Sequence, residues 1–124
     1  MKSFQHFVTE SITTKAVSER DQDGQMRYIL LIKDGDHIFG SIELIDKGDH
    51  LKVDQSYIDQ HYRYKGYGPM LYRAAMTLAR EHDKAWLKSG YAVSPDARAV
   101  WSKIGGEHFQ DAPGTTPRYR VSTK

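Results

Sequence analysis

The sequence predicts an α+β fold, layered α/β/α, with a mixed and mostly antiparallel central sheet and flanking helices. Three observations predict it. The first half holds four β-rich runs separated by short turns of glycine and aspartate, the pattern of an antiparallel meander. Two amphipathic helical stretches follow, with a short β-rich run between them. Two more β-rich runs close the chain. A block of strands followed by helices argues for a sheet covered by helices, not for repeated βαβ units.

Each element has a local reason. Phe4, Phe7, Val8 and Ile12 fall at helical spacing behind Ser3, which can cap, so residues 3–11 read as a short amphipathic helix. Thr13 to Val17 reads as a strand, and Asp21-Gln22-Asp23-Gly24 as a turn. Met26 to Lys33 is rich in large apolar residues, as a buried strand is. Asp34-Gly35-Asp36 reverses the chain, and His37 to Ile45 returns as the second arm of a hairpin. Lys47-Gly48-Asp49 turns again into a strand from Leu51 to Ile58, with Leu51, Val53 and Tyr57 expected on one face.

Pro69 suits the first turn of a helix, where a missing N–H costs little. Leu71, Ala74, Ala75, Leu78 and Ala79 then make a narrow apolar stripe that ends near His82. Ala85 to Ser89 reads as a short strand. Ser94-Pro95 starts a second helix, with Ala97, Val100, Trp101 and Ile104 on its buried side and Gly105-Gly106 as its stop. Glu107 to Gln110 and Arg118 to Ser122 are the closing strands, joined by a loop over 111–117. Residues 1–124 read as a single domain, without repeat or linker.

Composition removes several function classes. Hydrophobic residues make up 39% and charged residues 27%, the balance of an ordinary soluble domain. The net charge of +2 is too small by itself to imply nucleic acid. The absence of cysteine excludes disulfides, thiolate metal sites and a thiol nucleophile. The six histidines share no i, i+3 or i, i+4 spacing, so no metal site is expected. No apolar run approaches the roughly 20 residues of a membrane helix, so no membrane partner is expected and the expected location is cytoplasmic. No Gly-x-Ser-x-Gly elbow appears.

The chemistry concentrates in Ile58-Asp59-Gln60-His61-Tyr62-Arg63-Tyr64-Lys65-Gly66-Tyr67-Gly68-Pro69. A strand ends in a basic, glycine-bearing turn and a helix begins at once. Unpaired N–H groups and the helix dipole both favour an anion there. Gly66 and Gly68 permit close approach, and Arg63 and Lys65 add positive charge. A pyrophosphate cradle is the expectation. Leu71 stands where a Rossmann fingerprint needs a small residue, and the Gly-Lys-Ser/Thr ending of a Walker loop is missing.

Arg63-Tyr64-Lys65-Gly66-Tyr67-Gly68 resembles the Arg/Gln-x-x-Gly-x-Gly/Ala signature of the GCN5-related N-acetyltransferases (GNAT). Ala97, Val100, Trp101, Lys103, Ile104 and Gly105 are similar to that family's second helix. The resemblance spans roughly residues 26–122. It implies acetyl-CoA as cosubstrate, an unknown amine acceptor, and transfer by direct attack of the amine on the acetyl carbonyl. It implies that backbone from Arg63 through Tyr64, Lys65, Gly66 and Tyr67 to Gly68 grips the pyrophosphate, with Ile58 and Gln60 beside the pantetheine arm.

This chain departs from the family in places. Trp101 stands where a tyrosine often protonates the thiolate, and Ser94 where an asparagine commonly caps the helix. Pro69 offers no donor, and Lys52 occupies one familiar site of a glutamate base. Asp54, two residues on and on the same strand face, is the candidate base, and Ser94 the second candidate catalytic residue. Tyr91 could supply a phenol. Little room remains between Val17 and Met26 for the helices that build the acceptor pocket in the family, so the pocket is reduced or completed by a partner chain. Free sheet edges would suit a homodimer. Two alternatives keep the same residues: a reduced binding or regulatory module of this fold, of viral type, or a nucleic-acid platform built on the aromatic and basic turn.

Overall fold

A computed structural model describes residues 11–124. The helix expected over 3–11 lies outside them, except for its last residue. Seven strands form one sheet: β1 Ile12–Arg20, β2 Met26–Asp34, β3 His37–Asp46, β4 His50–Ile58, β5 Trp86–Lys88, β6 Glu107–Phe109 and β7 Arg118–Ser122. Their order is β1-β2-β3-β4-β5-β7-β6. All neighbours are antiparallel except β4 and β5, which run parallel because helix α1, Tyr67–Glu81, crosses between them. Helix α2, Pro95–Lys103, connects β5 to the closing hairpin. This is the mixed, mostly antiparallel sheet the sequence predicts.

The turns form where short polar residues can bond their own backbone. The Asp21 carboxylate accepts from the N–H groups of Asp23 (2.9 Å) and Gln25 (3.0 Å). That single tight turn carries β1 into β2, so no helix separates them. Ser94 caps α2 by accepting from the Ala97 N–H at 3.2 Å.

The core lies between the sheet and the helices. Leu30, Ile42, Leu44, Leu51 and Leu87 meet Leu71, Ala75 and Ala79 of α1. The alanines let α1 lie close to the strands. Trp101 of α2 stacks on Tyr119 and meets Tyr72 edge-on, so α2 packs beside α1.

One expectation about β4 needs correction. Leu51 and Val53 face the core, but Tyr57 does not: it is 54% exposed. The pairing of β3 with β4 shifts by one residue, because Glu43 faces Gln55 while Leu44 faces Val53. Asp54 is left over as a bulge. The extra residue reverses the alternation beyond it, turning Ser56 and Ile58 inward and Tyr57 outward.

Candidate functional site

The site begins where β4 ends. A turn of 3₁₀ helix, Gln60–Tyr62, leads into the basic loop and α1. Tyr62 stacks on Phe39 with centroids 3.9 Å apart, and Tyr67 meets the same ring edge-on at 4.9 Å. These contacts pin the loop to the sheet. They also use two of the tyrosines that a nucleic-acid platform would need, while Tyr64 stays 90% exposed. The Arg63 side chain folds back, its Nε donating to the Ile58 carbonyl at 2.8 Å.

Tyr64 (φ 62°) and Gly66 (φ 89°) both adopt left-handed backbone. Such residues among extended or helical ones turn neighbouring amides toward a common side. Among the described residues, the N–H groups of Tyr64, Lys65, Gly66, Tyr67 and Gly68 donate to no protein acceptor, and the first helical bond is Met70 N–H to the Gly66 carbonyl. Pro69 removes one further donor. Gly68 has a steric reason as well: a Cβ there would sit 3.2 Å from Cγ2 of Val100 on α2.

These groups border a cleft of about 390 Å³ between the β4 end, the head of α1 and α2. Ile58, Arg63, Tyr64, Gly66 and Gly68 line it from one side, and Asp96 and Lys103 from the other. Gln60, Lys65 and Tyr67 do not line it with their side chains. Lys103 is a cation on the cleft wall that sequence reading valued only as part of a helix pattern.

Behind this cleft the sheet opens. β4 and β5 pair only from His50 to Lys52 against Trp86 to Lys88. β4 runs on to Ile58, while Ser89 donates instead to the Tyr119 carbonyl at 2.8 Å, following β7. The edge of β4 from Val53 onward is therefore released from β5. A second cavity of about 360 Å³ fills the gap, lined by Lys52, Asp54, Gln55, Ser89 and Tyr91 among others. Ser56, Tyr72, Ser94 and Ala97 border both cavities, which places them at the junction.

Asp54 is in this second cavity, and its carboxylate pairs with Arg27 at 3.0 Å. Arg27 also holds Asp21 at 3.1 Å. The Ser94 oxygen is engaged as the helix cap, at the junction. Sequence reading missed Tyr72 and Ser56, whose hydroxyls are 2.8 Å apart at the same junction. Burial pushes the Tyr72 phenol above its ordinary value, partly opposed by the Ser56 hydrogen bond. The signal for Tyr72 was its place one residue from the apolar stripe; Ser56 gave none, because only the bulge turns it inward.

Tyr91 also belongs to the gap. Its hydroxyl donates to Asp111, whose carboxylate receives the Arg118 guanidinium through two bonds of 2.7 and 3.1 Å. The buried Arg118 donates again to the Ser89 carbonyl at 2.9 Å. This network ties the loop after β6 to the loop after β5. Among the described residues, no three His, Asp or Glu side chains gather as a metal site would require.

The sheet thus parts between two parallel strands, with a turn of unengaged amides at its mouth, the arrangement that the sequence resemblance leads one to expect. The model of the acetyltransferase (GNAT) family matches residues 2–105, and the chain belongs to that family. Solved structures agree on the fold. A GNAT-family acetyltransferase of Staphylococcus aureus Mu50 superposes with a TM-score of 0.66 at 18% identity, covering 79% of this chain and 68% of that one. The IAA acetyltransferase of Bacillus cereus gives 0.66 at 15% identity, over 90% and 98%. A Bacillus subtilis acetyltransferase in complex with CoA gives 0.64 at 11% identity, over 90% and 97%. No sequence among the curated proteins matches significantly.

Proposed function

We propose that this protein transfers an acetyl group from acetyl-CoA to an amine. The observation that carries the proposal is the run of unengaged amides from Tyr64 to Gly68, opening onto a cleft that continues to the parted strands. An anion of two linked phosphates suits such a run, because each N–H gains a charge-assisted bond without first breaking a protein one. Lys103 and Arg63 add positive charge on the cleft wall. The released edge of β4 beside Ile58 offers backbone groups to an extended chain, with the Ile58 carbonyl already taken by Arg63.

Acetyl-CoA supplies a thioester, whose carbonyl carbon the amine attacks as a thiolate departs. Asp54 is the carboxylate that accepts the amine proton, with Arg27 holding it in place. The Tyr72 phenol, kept protonated by burial and hydrogen-bonded to Ser56, is the donor at the junction. It takes the place of the absent phenol at Trp101, which is buried in the core at 1% exposure. Ser94 shapes the junction through its cap. The free end of β4 from Val53 to Ile58 and the loop over 89–94 enclose the acceptor, with Asp54, Tyr91 and Lys52 on its walls.

The test is release of free CoA thiol from acetyl-CoA with a panel of small amines, polyamines and lysine peptides, with product mass checked for one added acetyl. Acetylated product sensitive to Asp54→Asn is the expected result. Failure of the protein to bind CoA at all sinks the proposal. A second reading, a module that binds CoA without turnover, is favoured by Trp101; tight CoA binding with no product from any acceptor class supports it.

A further inference from the structure

Among the described residues, strand β1 is an open edge of the sheet. It spans nine residues, and all but Ile12 are exposed. It contains no proline, glycine or bulge: its register against β2 runs unbroken from Ile12 opposite Asp34 to Arg20 opposite Met26. Natural sheets seldom leave so long and regular an edge unpaired. The hydrogen-bond parity tells which groups it offers. At one end the Asp21 N–H donates to the Gln25 carbonyl at 2.9 Å, and at the other the Gly35 N–H donates to the Ser11 carbonyl at 2.9 Å. Antiparallel ladders alternate, so the odd residues between them spend their backbone groups on β2. Those of Ile12, Thr14, Ala16, Ser18 and Arg20 therefore point outward.

We propose that β1 pairs antiparallel with β1 of a second copy of this chain, with Ala16 opposite Ser18 of the copy, joining the two sheets across a two-fold axis. Parity limits the choices, since only even residues can exchange bonds. With Ala16 opposite Ser18, Val17 meets its own counterpart on the axis, and Lys15 faces Glu19 of the copy twice over. Lys15 and Glu19 make no ion pair with any described residue, so both charges are available. Sliding the copy by two residues one way sets Lys15 against Val17 and Glu19 against Thr13. Sliding it the other way sets Val17 against Glu19, and Lys15 against Asp21, whose carboxylate Arg27 already holds. The chosen register alone both matches opposite charges and places the apolar side chains together. Val17 lies beside Ile29 of β2, so the contact extends a half-buried apolar row across the axis. The inference is independent of acetyl transfer.

Sedimentation velocity of the full chain, over a concentration series from low micromolar upward, tests it. The wild type is expected to dimerise. Ala16→Pro removes an outward N–H and none that β2 uses, so it is expected to give a folded monomer by circular dichroism and melting. Lys15→Glu sets like charges opposite each other and is expected to weaken the dimer about tenfold or more. Lys15→Glu with Glu19→Lys restores the match and is expected to return the affinity to within about threefold of wild type. A wild type that stays monomeric throughout overturns the proposal. So does a dimer indifferent to Lys15→Glu, whether or not Ala16→Pro folds, because that dimer uses another surface.

Discussion

Replacing Gly68 with valine separates cofactor binding from folding. In the protein without ligand two effects oppose. Leaving glycine inside a helix stabilises by up to about 1 kcal/mol. Pushing side-chain atoms against Val100, already only 3.2 Å from the first added carbon, costs about 1–3 kcal/mol. The net is a loss of roughly 0–3 kcal/mol. For 124 residues an unfolding entropy of about 2.1 cal/mol/K per residue gives about 0.26 kcal/mol per degree, so the melting point falls by at most about 12 °C. Ligand behaves differently. CoA at about a hundred times its dissociation constant stabilises the wild type by about 2.7 kcal/mol, a shift of about 10 °C. Blocking access to two amides at about 1.5 kcal/mol each costs about 3 kcal/mol, a little over a hundredfold in affinity. At the same CoA concentration the variant then gains about 0.3 kcal/mol, roughly 1 °C. Differential scanning fluorimetry with and without CoA reads both numbers, and calorimetric titration checks the affinity. A folded valine variant that retains the full shift would refute the placement of the cradle.

Tyr72→Phe keeps the ring packed on Trp101 and removes the hydroxyl. CoA affinity is expected to change by less than about threefold, while acetyl transfer, followed by thiol release, falls roughly a hundredfold, the low end for a lost general acid. Trp101→Ala is expected to lower stability by about 3–5 kcal/mol, read from denaturant midpoints, because it empties a fully buried site between Tyr72 and Tyr119. Asp111 sets an acid limb. The Arg118 hydrogen bond, with that of Tyr91, holds its carboxyl below the ordinary 3.8. A folded-state value below the unfolded one gives stability that is present above pH 3.8 and lost as pH falls through the lower value. Urea midpoints of Asp111→Asn are therefore expected to be lower at neutral pH and to fall less steeply than wild type below about pH 4.

Local chemistry wrote the parts of this molecule that sequence reading found. The Asp21, Asp34 and Lys47 turns, the Ser94 cap and the α1 stripe depend on residues within a few positions of one another, so spacing alone exposes them. The basic turn before α1 is legible for the same reason: strand end, two glycines and helix start are contiguous. The bulge at Asp54 is different. Nothing within β4 announces it, because it arises from the pairing of Glu43 and Leu44 with residues on another strand. It moved Tyr57 to the outer face and brought Ser56 to Tyr72, so the junction of the two cavities could not be read from alternation along the strand. The ties of Asp54 to Arg27, of Tyr91 to Asp111 and of Ser89 to Arg118 likewise join residues 20 or more positions apart.

The sequence by itself determined the order of elements, the antiparallel meander and the basic, glycine-bearing turn, because each rests on bonds closed over a few residues. Only the tertiary structure decided where β4 parts from β5, which hydroxyls meet at the cleft junction and which strand edge stays open. Those features depend on register between distant strands, where one residue of slip turns every side chain to the other face.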